Sequence, residues 1–85
     1  RKESLMGGIV INGLVDVDPA KRDEALKGAV PFIEGALTQD GCLHYAWTAD
    51  LNLPGRIYVF EEWRDEASLA RHLAGQHYFG MLGHM

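Results

Sequence analysis

Gly8 to Val17 reads Gly-Ile-Val-Ile-Asn-Gly-Leu-Val-Asp-Val, a run rich in β-branched residues and almost free of charge. Such a run suits a strand covered on both faces rather than one with a wet side. Two further segments, Leu43 to Ala49 and Ile57 to Trp63, also carry apolar groups on both of their alternating faces. The rest of the chain offers only two clear helix patterns, and two short helices cover one face of a sheet. The other face needs a partner. An isologous homodimer formed through the sheet would cover it and supply core that 85 residues cannot build alone.

The remaining elements follow from local signals. Asp18-Pro19 is a helix start, with the aspartate as N-cap and the proline at the first helical position. Leu26, Ala29, Val30, Ile33, Ala36 and Leu37 recur at helical spacing. Pro31 should bend that helix, with Gly28 easing the bend, and Gly41 should end the run. Leu43, Tyr45, Trp47 and Ala49 alternate with Cys42, His44, Ala46 and Thr48 as a strand. The turn residues Asn52-Leu53-Pro54-Gly55 return it antiparallel through Arg56 to Trp63. There Ile57, Val59, Glu61 and Trp63 share one face, and Tyr58, Phe60 and Glu62 the other. Asp65 caps a second helix with Ala67, Leu69, Ala70, Leu73 and Ala74 on one side, ended by Gly75. His77 to Met85 is apolar enough for a short helical turn, and nothing after it reads as a strand.

The order strand, helix, strand, strand, helix supplies five elements of a ferredoxin-like βαββαβ unit, an α+β fold with helices on one face and the final strand missing. We expect a single domain over residues 1–85. Residues 1–6 are too short and polar for a signal peptide and read as a disordered or processed end, with Met6 as a start.

Composition excludes several classes. A formal charge of −4 leaves no basic cluster, since Lys21-Arg22 sits beside Asp23 and Glu24, so no nucleic-acid partner is expected. No apolar run approaches the roughly 20 residues that cross a bilayer, so no membrane partner is expected either. Cys42 is the only cysteine, which rules out an intrachain disulfide or a multi-thiolate zinc site and suits a reducing, cytoplasmic location.

Residues 61–79 concentrate the chemistry. His72 stands one helical step from Leu69 and Leu73, where it is either a surface histidine or a base touching a cavity. His77 reaches the centre of the apolar face if the helix continues past Gly75, and would then be a buried structural histidine or part of a site. Trp63 is most simply core, its indole N–H paired with Glu61 on the same strand face. Tyr45, Trp47, Tyr78 and Phe79 add flat apolar surfaces suited to core, dimer contact or a planar ring ligand. Asn12 is either hydrogen-bonded beside a bulge at Gly13 or aimed into a cavity. His44 is exposed or meets a partner subunit. No pair of histidines has the i, i+4 spacing that would place two imidazoles on one ion, so no metal site is expected.

Gly41-Cys42-Leu43-His44-Tyr45, then Glu61-x-Trp63-Arg64-Asp65-Glu66 and His72-Leu73-x-x-x-His77-Tyr78-Phe79, resemble the antibiotic biosynthesis monooxygenase family over residues 8–80. That resemblance implies a dimeric α+β barrel with a pocket between sheet and helices in each subunit. It also implies a choice of chemistries. The first is a monooxygenase oxidising a quinol or aromatic phenol with molecular oxygen and no cofactor, in a pocket bounded by Asn12, Tyr45, Trp63, His72 and Phe79. There His72 and Asn12 would be catalytic, with His72 taking the phenolic proton, while Tyr45, Trp63, His77 and Phe79 would bind substrate. The partners would be a small aromatic substrate, oxygen and a second copy of the chain. The alternatives are a non-catalytic dimeric ligand-binding module and a small-molecule isomerase. Haem degradation, known within the family, fits poorly: its tryptophan position falls at His72, its histidine near Leu82, and only Asn12 could stand for its asparagine.

Overall fold

Alternating β-branched and aromatic residues form the sheet that positions everything else. The computed structural model describes residues 2–3 and 8–85, the side chains at 2, 3, 77 and 79 excepted. Strands β1 (Lys2–Glu3), β2 (Ile9–Asp16), β3 (Cys42–Ala49) and β4 (Arg56–Trp63) form one antiparallel sheet in the order β1-β2-β4-β3. Helices α1 (Arg22–Leu37), α2 (Glu66–Leu73) and α3 (Gln76–His84) complete the α+β ferredoxin-like arrangement. β1 pairs with β2 only at Ile9 and Val10, and the segment after α2 is helical rather than a further strand. Apart from Lys2 and Glu3, the end expected over residues 1–6 lies outside the described residues.

Register assigns the faces. Ile9, Ile11, Gly13 and Val15 of β2 stand opposite Trp63, Glu61, Val59 and Ile57 of β4. Tyr45, Trp47 and Ala49 of β3 stand opposite the same Glu61, Val59 and Ile57. This is the helix-covered face, where Tyr45, Trp63, Ala29, Ala36 and Met81 form the core cluster. The β2–β4 ladder runs unbroken, so the bulge expected at Gly13 is absent from it. A bulge lies instead in β3 between Cys42 and His44. The extra residue there is Leu43, which is turned out to 44% exposure and separated from the face of Tyr45.

Asp18 accepts a bond from the Ala20 N–H at 3.0 Å, opening a 3-10 turn at Pro19–Lys21 that runs into α1. α1 then continues through Pro31. Its buried line is Ala29 and Ala36, with Val30 and Leu37 left exposed. α3 lies against α1, where Gly28 leaves room for the His84 ring and its Nε2 sits 2.8 Å from the Ala25 carbonyl. Among the described residues, no helix is long and apolar enough to cross a membrane.

The orientation of α2 differs from the one its apolar residues predict. Ser68 and His72, one helical turn apart, are buried, and Leu69 is half-buried; Ala67, Ala70, Leu73 and Ala74 face outward. The inward polar groups have partners. Asp65, the N-cap, accepts from both the backbone N–H and the hydroxyl of Ser68, at 2.8 and 2.6 Å, so the inward hydroxyl is satisfied. α2 stops at Leu73 and α3 starts afresh after an extended Gly75. The continuous helix that would have carried His77 onto the apolar face of α2 does not form.

Candidate functional site

Period-two alternation on β4 sends Glu61 and Trp63 to the same inner face, and the pair is closed locally: the Trp63 indole N–H donates to Glu61 Oε1 at 2.9 Å. Glu61 keeps only 14% of its side chain exposed. Burial pushes its carboxyl above the usual 4.5, and the Trp63 bond opposes that rise.

His72 descends from α2 onto this pair and is 1% exposed. Its ring lies 4.6 Å from the Trp63 ring between centroids, with Tyr45 and Tyr78 approaching edge-on at 5.4 and 5.8 Å. Its Nε2 stands 4.0 Å from Glu61 Oε1, and its Nδ1 is 2.7 Å from the Gln39 side-chain oxygen. The imidazole is thus held between an amide and a carboxyl, walled by three aromatic rings and removed from bulk water.

Beside this cluster is a recess of about 120 Å³ between sheet and α3, lined by Val15, Tyr45, Trp47, Glu61, Tyr78, Met81, Leu82 and Met85. Three wider depressions around Lys21, Val30 and His84 are more open to solvent. Burial pushes the Tyr45 hydroxyl above its ordinary range, against a lowering influence from Trp47 and with a further rise from Glu61. Trp47 Nε1 is buried on the same strand face, and among the described residues no partner meets hydrogen-bonding geometry with it. Burial, and then the Glu61 charge, also push the Cys42 thiol up, which disfavours a nucleophilic thiolate there.

The expected site residues divide. Tyr45 lines the recess, and Trp63 lies fully buried beneath His72, holding Glu61. His72 is buried behind the recess rather than at the exposed edge of its helix, because the inward turn of Ser68 carries the residue four places on inward as well. Asn12 is not brought to the pocket. With no bulge to reverse the alternation it pairs with Phe60 on the opposite face of the sheet, where it is exposed. The side chains of His77 and Phe79 lie outside the described residues. Gln39 was not anticipated, and no local signal marks it: it is remote from His72 in sequence and meets it only through the turn between α1 and β3. Among the described residues, no group of three or more histidine, cysteine or acidic side chains could hold a metal ion.

The outer sheet face has a different character. Leu14, Tyr58 and Phe60 are 51%, 41% and 39% exposed there, alongside Asn12, Ala46 and Thr48. Its rim carries the two-bonded Arg56–Asp16 pair, at 2.9 and 3.0 Å, which holds the Asp16 carboxyl below its ordinary range.

Comparison with known proteins agrees with this architecture. The model of the antibiotic biosynthesis monooxygenase family matches residues 8–80. An uncharacterized protein of Synechocystis is 33% identical over 64 residues, which cover 75% of this chain and 44% of that protein. This chain thus spans less than half of that relative. A conserved protein from Methanosarcina mazei has a solved structure that superposes with a TM-score of 0.81 at 29% identity, covering 89% of this chain and 75% of its own. A solved structure named antibiotic biosynthesis monooxygenase gives a TM-score of 0.75 at 28% identity, covering 87% and 77%.

Proposed function

The chain belongs to the antibiotic biosynthesis monooxygenase family, and from that premise we propose that it oxidises a single-ring phenol or quinol with molecular oxygen in the recess walled by Tyr45, Trp47 and Glu61. The observation that carries this reading is Glu61, a carboxylate with a raised proton affinity that lines an apolar recess and has an imidazole behind it. The recess supports a limit on size. A cavity of about 120 Å³ is close to the roughly 150 Å³ that accommodates one benzene ring, and a fused polycycle would have to displace Met85 or Leu82.

The chemistry asks little of the protein. A quinol and one oxygen molecule give a hydroxyquinone and one water: one oxygen atom enters the ring, the other is reduced, and the substrate supplies all four electrons. The chain has to orient the ring, take a phenolic proton and keep water away. Glu61 takes that proton in this reading, since it lines the recess and burial raises its proton affinity above that of a free carboxylate. His72 is placed to receive the proton from Glu61 rather than from substrate. Tyr45 and Tyr78 flank the ring, and the Trp47 N–H, which has no well-formed partner among the described residues, can meet an oxygen of the ligand.

Oxygen consumption is the test, measured with hydroquinones of one, two and three fused rings. Uptake should be fastest with one ring and lost in Glu61→Gln. Absence of uptake with every quinol would exclude the reading. The full burial of His72 favours a second one, a ligand-binding module in which this cluster is structural; ring binding without oxygen consumption would select it. In either case we place a second copy of the chain on the outer sheet face.

A further inference from the structure

We propose that Gln39 is a positioning residue that keeps His72 protonated at Nδ1, so that only Nε2, on the side of Glu61, exchanges a proton. An amide oxygen can only accept, and Gln39 Oε1 lies 2.7 Å from Nδ1, so the ring nitrogen between them is the donor. A neutral imidazole has one N–H, and holding it at Nδ1 makes Nε2 the acceptor. Nε2 is 4.0 Å from Glu61 Oε1.

The backbone explains why Gln39 can impose this. Its N–H donates to the Ala36 carbonyl at 3.0 Å and its carbonyl accepts from the Cys42 N–H at 3.1 Å, so both ends of the residue are fixed. Gly41, at φ 87°, then turns the chain into β3 against the Ser68 side chain. The same compact turn therefore fixes Gln39 and packs against the helix that carries His72. A neutral amide does this without adding charge beside Glu61. The role within turnover rests on the function proposed above: the substrate O–H breaks, a Glu61 O–H forms, and the proton passes to Nε2 as the carboxylate is restored.

The tautomer can be read without turnover. In a long-range proton–nitrogen correlation spectrum of uniformly ¹⁵N-labelled protein, the His72 ring signals are those lost in His72→Gln. The wild-type Nδ1 should show the shift of a protonated nitrogen, and Gln39→Leu should move it toward the unprotonated value. An unprotonated Nδ1 in the wild type, or an Nδ1 shift unchanged in Gln39→Leu, overturns the proposal. The wild-type spectrum decides alone if the variant does not fold. Where oxygen is consumed, Gln39→Leu should lower kcat at least ~10-fold with KM held; an unchanged kcat also overturns it. Failure of oxygen consumption with every quinol would remove the catalytic reading and leave the tautomer standing.

Discussion

Replacing Trp63 with phenylalanine should destabilise the protein by an amount that grows with pH. Trp63 is fully buried, and its N–H holds Glu61 at 2.9 Å. A hydrogen bond to a charged group contributes roughly 1.5–3 kcal/mol and one to a neutral group about 1 kcal/mol. Shrinking an indole to a phenyl ring in a closed core adds about 1–2 kcal/mol of lost packing. The variant should therefore lose about 2–3 kcal/mol where Glu61 is protonated and about 2.5–5 kcal/mol where it is ionised. A chain of this size has about 4–13 kcal/mol in total, so the variant folds at pH 4 and keeps a native baseline at pH 7 where the wild type exceeds about 5 kcal/mol.

The sign follows from linkage. A carboxyl whose folded pKa is raised contributes stability that is fully present below its unfolded value, here about 4.5, and lost as pH rises through the folded value. Trp63 lowers the folded value toward the unfolded one. Removing it widens the window above 4.5 over which stability is lost. Urea titrations followed by circular dichroism at pH 4 and pH 7, at one protein concentration, should show the gap between wild type and Trp63→Phe widening toward neutrality. The same gap at both pH values would refute a buried, ionising carboxylate held by the indole.

Other perturbations read other parts of the molecule. Glu61→Gln keeps an oxygen for the Trp63 N–H while removing the buried charge, so it should be more stable than wild type at pH 7 and indistinguishable near pH 4; thermal melts at both pH values check this. Phe60→Glu places a charge on the outer face and should turn a micromolar dimer into a monomer in sedimentation, whereas a wild type that is already a well-folded monomer would remove the dimer. Gly41→Ala forces an L side chain to φ 87° against Ser68, costing at least about 1–2 kcal/mol and lowering Tm by roughly 4–8 °C or more; an unchanged Tm would mean the turn is not as described.

The strands were legible because alternation is a local signal, and the inner face of β4 follows directly from the spacing of Ile57, Val59, Glu61 and Trp63. Asn12 stood between two readings, a bulge at Gly13 and a cavity, and it is exposed on the outer face instead. The β2–β4 ladder runs unbroken at Gly13, and the bulge lies at Leu43, which no glycine marks. The buried side of α2 was hidden for another reason. Counting apolar residues selects Ala67, Leu69, Ala70, Leu73 and Ala74, of which only Leu69 packs on the core, while Ser68 and His72 turn inward with Asp65 and Gln39 as their partners. One of those partners is close in sequence and the other is not, and only the close one could have been read.

Two groups of exceptions to simple burial rules fall on opposite faces of the sheet. Inward-facing His72 and Glu61 and the unsatisfied Trp47 donor converge on one recess, while Leu14, Tyr58 and Phe60 stand exposed on the far face of the same sheet. Local choices that reduce stability tend to survive where a site requires them. The sheet lies between the two sets, and strand alternation prevents any one residue from serving both. Changes on the Phe60 face should therefore alter assembly and leave ring binding in each subunit intact, and changes at Glu61 should do the reverse. A variant such as Phe60→Glu that abolished ring binding while its subunits stayed folded would show that the recess needs the second subunit to be complete.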